Sequence, residues 1–143
     1  MRRELRGCPA PALLALSVLL ALFASVAAAA SPGASLYAVY CENCHGDDGK
    51  GKGPTAEFLS VQPADLTVLA LKNGGVFPEE RVYHAIDGRD RLRGHGRSSM
   101  PIWGLGFQTT GSDADQEQEV ARRIRQLVEH LRSLQVEPAT SSR

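Results

Sequence analysis

Cys41-Glu42-Asn43-Cys44-His45 is the stretch from which the rest of this chain is read. Two thiols three positions apart, with an imidazole directly behind the second, have the spacing that attaches a c-type haem. The thiols add to the two vinyl groups of one porphyrin, and the histidine lies under the iron as its proximal ligand. Two other chemistries use a Cys-x-x-Cys pair. A redox dithiol of the thioredoxin kind wants a βαβ setting, and the chain shows no strand-like alternation. A structural zinc site wants four ligands, and neither a second Cys pair nor a His pair follows. Neither alternative has a use for His45. The expected cofactor is one covalently attached haem c, bound at Cys41 and Cys44, with His45 on the iron.

The residues before the motif point the same way. Arg2, Arg3 and Arg6 make a basic start, residues 10–24 are almost wholly apolar, and residues 27–30 are all alanine. This is the pattern of a secretory signal peptide cleaved after Ala30. It divides the chain into a signal at 1–30 and a domain at 31–143, with a core over about 33–135. The apolar run is short for a membrane span and no basic stop follows it. No stable membrane insertion is expected after cleavage; an uncleaved signal would instead anchor the protein. Cys8 precedes the apolar run and would leave with it, so Cys41 and Cys44 stay behind without a disulfide framework. The expected location is the periplasm or another exported compartment.

The remaining 113 of 143 residues suit one domain. The chain has 16 Lys+Arg and 16 Asp+Glu, of which three Arg and one Glu fall in the signal, leaving 13 against 15. A net charge near −2 gives no pull toward nucleic acid. Residues 33–40 predict a helix running into the motif, with Gly33, Tyr37 and Cys41 four apart on one face. Gly33 would let a second helix cross close, with Tyr37 packed beside it. Residues 46–56 hold five Gly or Pro among eleven and predict a loop. Residues 65–72 predict a short helix capped by Asp65 and stopped by Asn73-Gly74-Gly75. Residues 78–87 predict another, ended by Gly88, with Val82, Tyr83 and Ile86 as its apolar face. Residues 89–100 are irregular and basic. Ser112 and Asp115 open the strongest helix, along which Val120, Ile124, Leu127, Val128, Leu131 and Leu134 repeat at helical spacing. The residues after 136 form a polar tail. The fold class is all-α.

One His leaves one face of an iron open. His84, His95, His130 and Met100 are the candidates to close it. His84 and His130 sit among charged helix residues and read as surface. Met100 is the only methionine left after Met1 departs, lies 55 positions beyond His45 and precedes Pro101. A thioether suits iron in both oxidation states and raises the potential relative to a second imidazole. Met100 is therefore the expected distal ligand, with His95 the competitor.

The chain resembles a monohaem class I c-type cytochrome over residues 33–134. The likeness rests on Gly33 and Tyr37, the Cys41/Cys44/His45 motif, the Gly-Lys-Gly-Pro run ending at Pro54, Met100-Pro101, and the long final helix. The resemblance implies a small cytochrome c fold, with the N- and C-terminal helices crossing beside one haem. It also implies a proline carbonyl accepting the proximal imidazole N–H, which by position is Pro54, with Pro63 next. Such a bond fixes the ring and strengthens it as a donor. The final helix lacks the aromatic residue that often meets the first helix in such proteins, and Ile124, Leu127 or Val128 is expected to stand in.

The function so implied is that of a monomeric single-electron carrier with redox proteins as donor and acceptor, not an enzyme. A haem subunit of a larger redox complex is the alternative. A peroxidase or gas binder would need a labile Met100, and a structural or sensor role has no positive feature. Arg89, Arg91, Arg93 and Arg97 crowd before Met100, with Lys50 and Lys52 in the loop. They are a solvated or docking surface, or two of them neutralise the haem propionates, where the Trp103 indole N–H could join them. Intact mass of the exported protein is expected to place its N-terminus near Ser31; a protein that keeps Arg2, Arg3 and Arg6 would be membrane-anchored.

Overall fold

The computed structural model describes residues 30–90 and 100–136. Among them are five α-helices, two short 3-10 turns and no strand, so the chain is all-α as expected. The helices are α1 (Pro32–Tyr40), α2 (Glu42–His45), α3 (Glu79–Asp87), α4 (Trp103–Gly106) and α5 (Asp113–Ser133). The expected signal, His95, Arg91, Arg93, Arg97 and the tail after Val136 lie outside the described residues. No helix among the described residues is long and apolar enough to cross a membrane.

α5 forms for the reasons its sequence gives. The Ser112 hydroxyl accepts the Asp115 N–H at 3.3 Å and donates to its carboxylate at 2.6 Å, closing the first turn. Val120, Ile124, Leu127, Val128 and Leu131 are all buried. That stripe lies against α1 at the position the glycine predicts. A Cβ on Gly33 would collide with the Gln126 carbonyl and the His130 Cβ. The two backbones are in contact, which only glycine allows. The ring beside Tyr37 at this crossing comes from His130, with centroids 5.2 Å apart. His130 is therefore part of the crossing rather than a surface residue, and its burial lowers its pKa. Ile124, Leu127 and Val128 pack in the same core but do not supply that ring.

α3 begins after Pro78 and ends at Gly88, whose φ of 69° is left-handed. Val82 and Ile86 are buried and Tyr83 half-buried. The segment 65–72 departs from expectation: it is a series of turns followed by a 3-10 turn at Leu71–Asn73. Asp65 explains this. Its Oδ1 accepts both the Thr67 N–H at 2.8 Å and the Thr67 hydroxyl at 2.7 Å, a local turn that competes with helix. The chain leaving α5 then holds the segment in place. Gln135 accepts from the Ala70 N–H and donates to the Leu66 carbonyl, while the Val136 N–H reaches the Thr67 carbonyl.

α4 is a second departure, since residues 103–106 carry no periodic signal. An aromatic cluster holds it. Trp103 stacks on Phe107 at 5.4 Å, and Tyr40 meets both rings edge-on at 5.3 and 5.1 Å. Phe107 is wholly buried and Arg123 lies over its ring. Gly33→Ala is expected to destabilise the fold by about 1–3 kcal/mol despite the better helix propensity of alanine, because the added methyl overpacks the crossing. Urea unfolding of the two proteins checks it, and equal midpoints would contradict the close crossing.

Candidate haem site

α2 is a single helical turn, too short to be stable alone. Its environment makes it stable. Each carbonyl from Cys41 to Gly46 has a donor. Cys44 and His45 N–H groups meet the Cys41 carbonyl, and the Gly46 N–H meets that of Glu42 at 2.7 Å. Thr55 donates twice to Asn43, from its N–H at 3.0 Å and its hydroxyl at 2.7 Å. Gly53 and Gly51 N–H groups reach the carbonyls of Cys44 and His45. The buried Tyr37 hydroxyl donates to the Gly46 carbonyl at 2.6 Å, and burial raises the phenol pKa well above its ordinary value. The glycine-rich loop is thus wrapped around the motif. A Cβ on Gly53 would press on the carbonyls of Glu42 and Asn43, and Gly51 turns with φ of 76° against Pro63.

The three motif side chains are half-buried. Burial, with the neighbouring Cys44 second, pushes the Cys41 thiol up to about 12. Cys44 Sγ lies 3.3 Å from the Thr55 hydroxyl oxygen. The one Thr55 hydroxyl proton points to Asn43, so this oxygen accepts from the thiol. Burial lowers the His45 pKa, partly opposed by its bond to Ala64, so a neutral ring is favoured. That ring hydrogen-bonds through Nδ1 to the Ala64 carbonyl at 3.0 Å. The acceptor is therefore Ala64, one residue past Pro63, and not Pro54. Pro54 is exposed at the edge of the loop, and its place before Thr55 turns the chain back toward α2.

Two cavities adjoin the motif. The inner one, about 220 Å³, is bordered by apolar side chains of the α1–α3–α5 core, among them Val82, Ile86 and Leu127, together with Leu66 of the 65–70 turns and Cys41. The outer one, about 280 Å³, is bordered by Cys44, Leu59, Val61, Pro63 and Pro101. His45, Ala64 and Met100 border both. So the structure brings Cys41, Cys44, His45 and Met100 to one slot. It does not bring Trp103 there: the indole borders neither cavity and belongs to the aromatic cluster behind Met100. His84 is exposed and paired with Asp90 and Glu80.

Arg89 is held elsewhere too. It bridges Asp87 and Glu117 and borders neither cavity. Arg81, which sequence reasoning passed over, does border the inner cavity, with its guanidinium hydrogen-bonded to Asn73. Its helical place four residues before Ala85, which also borders the cavity, was the available signal.

The fit to a haem follows from shape and donors. Among the described residues no group of three or more His, Cys, Asp or Glu is placed to hold a bare metal ion. One imidazole and one thioether are too few for that, but suffice for a metal whose other ligands come from a macrocycle. A flat, mostly apolar group running through both cavities would meet Cys41 at one and Cys44 at the other.

No protein-family model and no solved structure matches the chain. It is 30% identical over 93 residues to a polyvinylalcohol dehydrogenase of Sphingopyxis sp. (strain 113P3). That alignment covers 59% of this chain and 14% of the dehydrogenase, so the chain spans a small part of that protein's length. Tyr37→Phe is expected to cost about 0.5–1.5 kcal/mol, the net worth of one hydrogen bond, since the Gly46 carbonyl keeps the Gly49 N–H. Urea unfolding reads it; no loss would mean that the tyrosine anchors the loop by packing alone.

Proposed function

We propose that this chain is an exported single-electron carrier of the cytochrome c type, holding one haem c with His45 and Met100 as axial ligands. The observation that carries the reading is the shared lining: His45 and Met100 border both cavities, while Cys41 and Cys44 each border one. When bound, the haem supplies an iron that changes by one electron between its ferrous and ferric forms. The protein's part is to fix the ligands. Ala64 holds the Nδ1–H of His45, which leaves Nε2 for the metal and sets the plane of the ring. The short helix is tied at every carbonyl, so Cys41, Cys44 and His45 have little freedom and would hold a haem in one position. The inner part of the slot is lined mostly by apolar side chains. The outer part opens at Leu59, Val61 and Pro101, and an electron would pass there, to or from a redox protein.

A second reading is favoured by two observations. The stretch beside the outer cavity exposes Phe58 at 78%, Val61 at 55% and Leu59 at 40%, a contiguous apolar surface of the kind that partners cover. The relative named above is a dehydrogenase, and a dehydrogenase needs an acceptor for the electrons it removes. On this reading the chain is the haem component that receives electrons from such an enzyme. The site is the same in both.

Met100→Ala is expected to abolish the sulfur-to-iron charge-transfer band of the oxidised protein, lower the reduction potential and let the reduced protein bind carbon monoxide. Absence of that band from the wild-type protein, with carbon monoxide binding opened by His95→Ala and not by Met100→Ala, would transfer the distal role to His95. Rapid peroxide turnover by the wild-type protein with no Met100 band at rest would replace the carrier by an enzyme.

A further inference from the structure

Asp87 is buried at the C-terminal end of α3, where a lone carboxylate would be costly. Arg89 supplies its partner. The Arg89 N–H and Nε reach Asp87 Oδ1 at 3.2 and 2.6 Å, and Nη2 reaches Oδ2 at 2.8 Å. The far side of the same guanidinium forks onto Glu117 of α5, with Nη1 at 2.6 Å and Nη2 at 2.9 Å. The foremost effect on both carboxylates is the Arg89 hydrogen bonding, which holds them below their ordinary range.

This triad grips a third element. A Cβ on Gly104 would strike Asp87 Oδ1 and the Arg89 side chain, so the α4 backbone lies directly on the ion pair. Two residues earlier, Ile102 lies against Gly88, where a Cβ would sit 3.4 Å from its atoms. Positions 102 and 104 are thus both fixed on the end of α3. Met100 is two residues before Ile102, a reach of at most about 7 Å. Neither Asp87 nor Arg89 borders the slot.

We infer that the Asp87–Arg89–Glu117 triad is the positioning device for the distal ligand, fixing α4 so that Met100 is held on the slot. This rests on the haem reading above. Met100 lies three residues before α4, and a ligand whose neighbouring backbone is fixed binds more often than one that must be gathered from a loosened segment. The fork matters: a lysine in place of Arg89 would carry the charge but not bridge two carboxylates in one plane.

The test is ligation in the holoprotein. Arg89→Gln is expected to weaken the charge-transfer band and raise the carbon monoxide-reactive fraction of reduced protein about ten-fold, at a temperature where helix content is unchanged. Glu117→Gln, which leaves the Asp87–Arg89 pair in place, is the variant that should fold in any case. It is expected to move both signals less and in the same direction. Arg89→Lys should rescue poorly. Variants that lower the melting temperature yet keep the band and stay inert to carbon monoxide would overturn the inference and make the triad structural only. A wild-type protein that holds no haem would instead overturn the haem reading, and one whose haem itself binds carbon monoxide would overturn the Met100 ligation; either takes this inference with it.

Discussion

The close crossing of α1 and α5 at Gly33 is the constraint on which the rest of the structure depends. Because Gly33 lets the backbones touch at Gln126, Tyr37 is driven into the core one turn later, against His130. Its hydroxyl then has one buried partner within reach, the Gly46 carbonyl. That bond fixes the far end of α2, and the loop from Gly49 to Thr55 closes around the same turn. A helix of four residues is thereby held with every carbonyl paired before any ligand is considered. A larger residue at position 33 would move Tyr37, and through it the position of His45.

The slot is a consequence of this order. α1, α3 and α5 provide an apolar back wall, the turn from Cys41 through α2 presents two thiols and an imidazole, and Met100 lines the same two cavities as His45. Charge has little part inside. Among the described residues the ion pairs lie outside the slot, and the most buried of them, Asp87 with Arg89, ties α3 to α4 and α5. The molecule separates a slot lined mostly by apolar side chains, with soft and neutral donors at Cys41, Cys44, His45 and Met100, from an ion-paired scaffold outside it.

Much of this was legible in the sequence, for physical reasons that differ by element. Ser112 with Asp115 and the apolar stripe of α5 announce a helix because capping and periodicity are local properties. Gly33, Tyr37 and Cys41 announce a face because they are four apart. The spacing of Cys41, Cys44 and His45 carries chemistry in five residues. Contacts between segments distant in sequence were less legible. The Ala64 carbonyl accepts the hydrogen bond of His45 Nδ1–H, which no side chain advertises. Thr55 and Gln135 act as clasps whose partners lie 12 and up to 69 positions away. The 65–72 segment has helix-compatible residues, yet Asp65 closes a turn on Thr67. Arg89 stands in a basic run but is taken by carboxylates from two other elements, and Trp103 is taken by Tyr40 and Phe107. Composition suggests partners for such residues; only the fold selects among them.

The central claim is that Cys41 and Cys44 carry a haem whose iron is already six-coordinate. The visible spectrum of the full-length protein, purified from a host that attaches haem c, tests it most directly, in alkaline pyridine for the thioethers and in buffer with carbon monoxide for the ligands. The account predicts one haem per chain with both vinyl groups saturated, and a reduced spectrum unchanged by carbon monoxide. A colourless protein with two free thiols at Cys41 and Cys44 would contradict it.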